Sequence, residues 1–298
     1  MYVIFGASGK AGQVAVKRLR DAGQSVRAVV RTVDQGRTFA ASGCEVVVAD
    51  LLDRDSVARA IQGAQAVQML CPVPSAHPDP ERGMRDMIDV AADALSANPP
   101  RHVLAISDYG AELDAGTGIT QLFHYLEERL KRAVPHLTLL RSAEHMQNWA
   151  RVFPVALSTG VLPSFHHPLT KQFPTVSAHN VGDACAALLL EGAPDSEVRV
   201  VSIEGPGRPC ALDVARSLGE AAGREIVAHE LPRDRWTSTL LRTGLSELHA
   251  RLITDLYDSH NAGHIDVETN ATERRFGTTS LTEVFATILA QNASAAAR

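Results

Sequence analysis

Short apolar runs alternate with stretches whose apolar residues recur three or four apart through the first half of the chain. Tyr2–Phe5 has no polar break and reads as a strand buried on both faces. Further strands are predicted at 25–30, 45–49, 66–70, 102–106 and 137–140. Between them, 13–20, 37–42, 54–62, 81–96 and 122–133 carry helical spacing; Val14, Val16 and Leu19 can share one face of the first. This is the βαβ rhythm of an α/β protein with a doubly wound parallel sheet. In such sheets ligands sit at the carboxyl ends of the strands, so the residues just past each strand are read first for chemistry.

After Ser142 the rhythm breaks. A helix is predicted over 144–157, a Pro- and His-rich loop over 160–172, and a helix over 181–191 capped by Asn180. A strand at 198–203 can rejoin the sheet, and 205–209 is a turn. Then come a helix at 212–222, a short strand at 226–230, a largely helical 235–260, a closing helix at 281–291 and a fraying tail at 292–298. The expected organisation is a Rossmann-like dinucleotide domain over 1–142, rejoined by 175–203, and a smaller interleaved α/β lobe over 143–298 for the substrate.

Composition narrows the reading. The chain has 298 residues, 45% hydrophobic, and a net charge of -5. That supports a sizeable core, and no basic stripe with interleaved aromatics points to nucleic acid. No apolar run reaches the roughly 20 residues of a membrane span, and the first strand starts too early for a signal or transit peptide. Four cysteines without CxxC spacing read as reduced thiols, so a cytoplasmic location is expected. His166-His167 and the pair His260 and His264 lack a third ligand at metal-site spacing, so no metal is expected.

The chemistry starts at Gly6-Ala-Ser8-Gly9-Lys10-Ala-Gly12. Strand, glycine turn and helix start form the context of a dinucleotide turn: glycines permit the tight bend and close approach of the pyrophosphate to backbone N–H groups. The carboxylate that would bind a ribose 2′-hydroxyl after strand two is absent. Arg31 stands there, and a guanidinium suits a 2′-phosphate. Lys10 adds a second charge, so NADP(H) is favoured over NAD(H), with Asp34 as the dissenting carboxylate. Cys71 and Pro72, past strand four, are expected to line the nicotinamide side.

Taken together, the glycine turn, Arg27-Ala-Val-Val-Arg31, Val48-Ala-Asp50-Leu51, His124-Tyr-Leu-Glu-Glu128, Leu137-Thr-Leu-Leu-Arg141, Val181-Gly-Asp183 and Phe276-Gly-Thr-Thr-Ser-Leu281 resemble the NmrA-like, or atypical short-chain dehydrogenase, family. The likeness spans nearly the whole chain and is greatest to its triphenylmethane-reductase and quinone-oxidoreductase-2 group. It implies reduction of a small apolar electrophile, such as a quinone or dye, by NADPH or NADH. It also implies that Asp50 and Leu51 sit by the adenine. A non-enzymatic redox sensor and an isomerase or dehydratase with NAD(P) as scaffold stay open, as does a homodimer.

Short-chain dehydrogenases use Tyr-x-x-x-Lys, the lysine lowering the tyrosine pKa. Here the helix after strand five carries Tyr125-x-x-x-Arg129, with Ser107 at the strand end. Arginine is a poor substitute for that lysine. The family's pattern puts His124 at the nicotinamide ribose, as a contact and as a candidate proton donor. Tyr109, His145, Met146 and Trp149 are the expected substrate contacts, the last three along a cleft wall from Ser142 to Trp149.

Overall fold

The computed structural model describes residues 1–271 and 273–296. The elements run β1 (Tyr2–Ile4), α1 (Lys10–Asp21), β2 (Val26–Val30), α2 (Val33–Ala41), β3 (Glu45–Val48), α3 (Arg54–Ile61), β4 (Ala66–Met69), α4 (Pro80–Ala97) and β5 (His102–Asp108). A 3-10 turn (Gly118–Thr120) leads to α5 (Gln121–Ala133) and β6 (Leu137–Ser142). Then follow β7 (Glu144–His145), a 3-10 stretch (Met146–Val152), α6 (Phe153–Thr159), β8 (Val161–Ser164), β9 (Thr175–Val176) and α7 (Ala178–Glu191). The chain closes with β10 (Val198–Glu204), α8 (Ala211–Ala222), β11 (Val227–Glu230), α9 (Trp236–Arg242), α10 (Glu247–Ala262), β12 (Arg274–Phe276) and α11 (Leu281–Ala296).

Eight strands form one sheet in the order β12-β10-β6-β5-β4-β1-β2-β3, and every pair in it is parallel. The order reverses between β1 and β4, which makes the crevice above those two strands the topological switch point. Strand side chains alternate between two cores. Ile4, Ala28, Leu104, Ile106 and Leu140 pack toward α1 and α7. Val3, Val67, Met69, Val103, Ala105 and Leu139 pack toward α3, α4 and α5. A third core, with Trp149, Phe153, Phe173, Leu218 and Phe285, belongs to α6, α8 and α11.

The parallel strands match the apolar runs because both their faces are covered. The later segments depart from the pattern for identifiable reasons. Residues 144–157 are not one helix. Glu144 and His145 pair with Thr175 and Val176 as a two-strand ladder, and the helix starts afresh at Phe153 with Pro154 in its first turn. Ser177, not Asn180, caps α7, and Asn180 instead accepts a hydrogen bond from the Thr279 amide at 3.2 Å. Helix α2 starts at Val33 because Thr32 caps it. The stretch 235–260 is two helices, broken where Gly244 adopts φ +88°. Strand β11 pairs with β8 in a separate ladder, inside what reads as loop by sequence. The tail expected to fray continues α11 through Ala296, and its last two residues lie outside the described ones.

One ion cluster locks the rim of the sheet. Arg141, 4% exposed at the end of β6, donates to both oxygens of Glu127 on α5 at 2.8 and 2.6 Å. Its remaining nitrogen reaches Glu112, at 3.2 Å in the loop after β5, and Glu268, in the segment before β12. Glu127 is 1% exposed, so removing the cation strands a buried carboxylate. Arg141→Ala is expected to lower the unfolding free energy by about 3–5 kcal/mol, read from urea denaturation; a loss under about 1 kcal/mol would show that the cluster contributes no more than a surface pair.

Candidate functional site

The glycine turn has the geometry a pyrophosphate requires. Gly6 adopts φ +72°, and the Gly9 amide donates back to its carbonyl at 2.9 Å. A Cβ on Gly12 would lie 2.0 Å from the Gly6 carbonyl oxygen, so only glycine lets α1 start this close to β1. Gly9 caps α1 without a side-chain hydrogen bond, and no acidic residue occupies the first turn. The N-terminal amides therefore keep their capacity for an anion. Ser8 accepts from the Gln13 side chain through its carbonyl at 2.8 Å, leaving its hydroxyl uncommitted among the described residues.

Beyond β2, Arg31 is exposed, and its guanidinium forms no ion pair among the described residues. Asp34, the dissenting carboxylate, is held by Arg37 at 2.8 Å on the surface of α2. Lys10 is also exposed and unpaired among the described residues. Asp50 is exposed and turns its carboxylate to the Leu52 amide at 2.9 Å, while Leu51 is half-buried beside it. Cys71 is fully buried, and burial pushes its thiol up to about 12, so it stays an inert apolar wall. Pro72 next to it is exposed. This set fits a dinucleotide: an uncapped helix start, a glycine cradle and two cations without carboxylate partners among the described residues.

The expected catalytic trio does not converge. The Ser107 hydroxyl donates to Glu127 at 2.6 Å within the buried Arg141 cluster. The Tyr125 hydroxyl donates to Asp89 on α4 at 2.7 Å, and Arg129 donates to the same carboxylate oxygen at 2.6 Å. Glu127 and Tyr125 stand roughly 200° apart around α5, so the tyrosine points away from Ser107. Desolvation and the Asp89 carboxylate both raise the Tyr125 hydroxyl above its ordinary value, the reverse of what an acid catalyst needs. His124 is half-buried, with Nδ1 2.9 Å from the Ala111 carbonyl, which sets that nitrogen as donor and leaves Nε2 uncommitted.

The four expected substrate contacts separate as well. Tyr109 is 2% exposed and packs in the α1/α7-side core with Ile265; its buried hydroxyl has no hydrogen-bond partner among the described residues. Met146 and Trp149 lie in the third core, with Trp149 beside the stacked pair of His166 and Phe173, 5.7 and 6.1 Å from their ring centroids. Their apolar spacing reports core packing rather than an open cleft wall. His145 alone stays half-buried at the rim, with Nε2 3.4 Å from the Ser142 hydroxyl. Burial, with Lys10 nearby, pushes it down to about 4, so it is neutral near pH 7.

Four rim residues have no sequence assignment to a role. Asp108 closes β5 and accepts from Thr120 at 2.9 Å. Glu144 accepts from His166 at 3.0 Å and from Tyr257 at 3.2 Å. His166 stacks on Phe173 with ring centroids 3.8 Å apart, and Tyr257 comes from α10, which packs on the Gly118–Thr120 turn. Position after a strand is the sequence signal for Asp108 and Glu144. The sequence offers His166 only as half of the His166-His167 pair, and it reaches the rim through the fold of the loop after β8. Tyr125→Phe is expected to leave kcat within about twofold and to cost about 0.5–1.5 kcal/mol of stability; a steady-state rate lowered tenfold or more would return Tyr125 to the chemistry.

Comparison with known proteins identifies the family and the fold. The family model described as NAD(P)H-binding matches residues 6–191. A (4-alkanoyl-5-oxo-2,5-dihydrofuran-3-yl)methyl phosphate reductase of Streptomyces griseus is 29% identical over 242 residues, covering 81% of this chain and 80% of its own. The NADPH-dependent quinone oxidoreductase of Escherichia coli, solved with NADPH, superposes with a TM-score of 0.79 at 20% identity, covering 97% of this chain and 100% of its own. The triphenylmethane reductase of Citrobacter sp. gives 0.79 at 17% identity, covering 97% and 99%. The chain belongs to the NAD(P)H-binding family, and its fold is that of the NmrA-like atypical short-chain dehydrogenases.

Proposed function

We propose that the protein is an NADP(H)-dependent reductase that transfers hydride to a small apolar electrophile, such as a quinone or a dye. The observation that carries the cofactor half is Arg31, a guanidinium with no carboxylate partner among the described residues, placed beside an uncapped glycine turn. The turn amides hold the pyrophosphate, Arg31 and Lys10 hold the 2′-phosphate, and Asp50 and Leu51 bound the adenine side. Cys71 and Pro72 form a stiff wall toward the nicotinamide, and His124 reaches for its ribose. When bound, the reduced nicotinamide supplies the hydride.

The substrate half follows from what α5 lacks. With Tyr125 committed to Asp89, no tyrosine–lysine pair protonates a ketone oxygen. Acceptors that take hydride readily, namely quinones, azo compounds and delocalised cations, do not need that strong acid help. The names of the similar proteins, reductases of a phosphorylated unsaturated lactone, of quinones and of triphenylmethane dyes, support the same class. No helix among the described residues is long and apolar enough to cross a membrane, in keeping with a small-molecule substrate taken from water.

Purified protein is expected to oxidise NADPH when offered a panel of quinones and dyes. Tight dinucleotide binding without turnover on any quinone, imine, enone or dye would overturn the reading. Arg31→Ala is expected to raise the KM for NADPH about 10- to 100-fold, the equivalent of a charge-assisted hydrogen bond of about 1.5–3 kcal/mol. The KM for NADH should hold within about twofold; equal losses for both cofactors would show that Arg31 does not read the 2′-phosphate.

A further inference from the structure

We propose that Asp108 is the acid that delivers the proton completing the reduction, and that Glu144, fixed as an anion by His166 and Tyr257, keeps it ready; the assignment rests on the reductase reading above. Asp108 is the last residue of β5, and its register partner on β6 is Ser142. Glu144 follows two residues later, so the two carboxyls share the carboxyl-end rim of adjacent strands. Their surroundings differ in kind. Both Glu144 oxygens are occupied, by His166 at 3.0 Å and Tyr257 at 3.2 Å, and its carbonyl is held by the Thr175 hydroxyl at 2.6 Å. Asp108 has the Thr120 hydroxyl at 2.9 Å and, among the described residues, no arginine, lysine or histidine within salt-bridge distance.

The charged groups facing Asp108 are Glu144 from β7 and Glu112 from the loop after β5, the second shared with Arg141. Around Glu144 stand Tyr257 and His260 of α10 and His166 of the loop after β8. Burial, with His166 close by, pushes His260 down to about 4, so α10 adds no cation near neutral pH. Burial pushes the Asp108 carboxyl up to about 7, Glu144 and Glu112 adding to it against the Thr120 hydrogen bond. Burial works against the Glu144 charge too, yet the bonds from His166 and Tyr257 hold that carboxyl below its ordinary value. Two carboxyls driven apart by environment take separate roles, one a proton carrier and one a fixed charge.

The step balances. Hydride addition breaks the C–H bond of the reduced nicotinamide and leaves an electron pair on the acceptor's oxygen or nitrogen. A new O–H or N–H bond forms there as the Asp108 O–H bond breaks. Water then returns a proton to the carboxylate, so each two-electron reduction consumes one NADPH and one solvent proton. A cationic triarylmethane dye needs no such proton, because hydride on its central carbon already gives a neutral product.

That difference supplies the test. Wild type, Asp108→Asn and Glu144→Gln are compared with NADPH on a quinone and on a cationic triarylmethane dye across pH. Asp108→Asn should slow the quinone about 100-fold more than the dye, within the range of general acid catalysis. The wild-type quinone rate should fall above pH about 7, and this fall should vanish in Asp108→Asn and move to lower pH in Glu144→Gln. Carboxyl-carbon NMR of aspartate-labelled protein, without cofactor, should show one resonance titrating near 7 that Asp108→Asn removes. Equal slowing of both acceptors, or a titration in the ordinary aspartate range of about 4, would overturn the assignment. No turnover by wild type on either acceptor would overturn the reductase reading itself, and this assignment with it.

Discussion

The Arg141 guanidinium is the point on which the rim of the sheet depends. It is buried at the end of β6 and answers three carboxylates that arrive from α5, from the loop after β5 and from the segment before β12. Burying a cation is costly, and the cost is offset here because Glu127 takes both parallel N–H groups of the fork. Lysine could not make that two-point contact. The result is a cross-link between elements far apart in sequence, made where strand ends carry the chemistry. It ties the middle of α5 to the sheet, and that helix is entered through the turn that presents Thr120 to Asp108. It also fixes what α5 cannot do, since Ser107 is consumed in the same cluster.

Much of the first half was legible because parallel strands covered on both faces must be apolar without interruption. Tyr2–Ile4 and Val103–Ile106 are such runs, and Val26–Val30 departs from one only at Arg27. The glycine turn was legible for a different reason: at Gly12 the space beside the Gly6 carbonyl admits no side chain at all. The second half was less so. Residues 144–157 carry helical spacing, yet Glu144 and His145 are drawn into a ladder with a segment thirty residues on, a tertiary pairing that local pattern does not encode. β12, with Arg274 and Arg275 in a three-residue edge strand, offers no apolar signature at all. Its side chains are tied instead to Glu204, Glu191 and Glu273.

In the candidate site, linear order alone puts Lys10 inside the glycine turn and Arg31 just past β2, and the structure leaves both exposed there, whereas the residues expected for the reaction do not gather. Met146 and Trp149 have the apolar spacing of a cleft wall and of a core helix equally, and only packing against Phe173 and Phe153 decides for the core. Tyr125 and Arg129 mimic a catalytic pair because four residues make one helical turn, but that face of α5 meets Asp89 of α4. Asp108 and Glu144 are separated by thirty-odd positions and become neighbours through the β5–β6 register alone.

These two facts belong together. When α5 spends Glu127 on Arg141 and Tyr125 on Asp89, the helix that supplies the acid in ordinary short-chain dehydrogenases is structural on both of those faces. Under the reductase reading, a proton source then comes from His124, whose Nε2 is uncommitted, or from the strand ends and the elements laid over them. Strand ends offer positions fixed by backbone register, and α10 offers a cover that excludes water. Burial favours the protonated form of a carboxyl in that recess, the negative charge of Glu144 and Glu112 adds to it, and His145 and His260, neutral near pH 7, do not oppose it. Under the proposal made above, such an acid completes the reduction of acceptors that take hydride first and a proton afterwards. The absence of a tyrosine–lysine pair and the acidity of the rim therefore point to the same class of substrate.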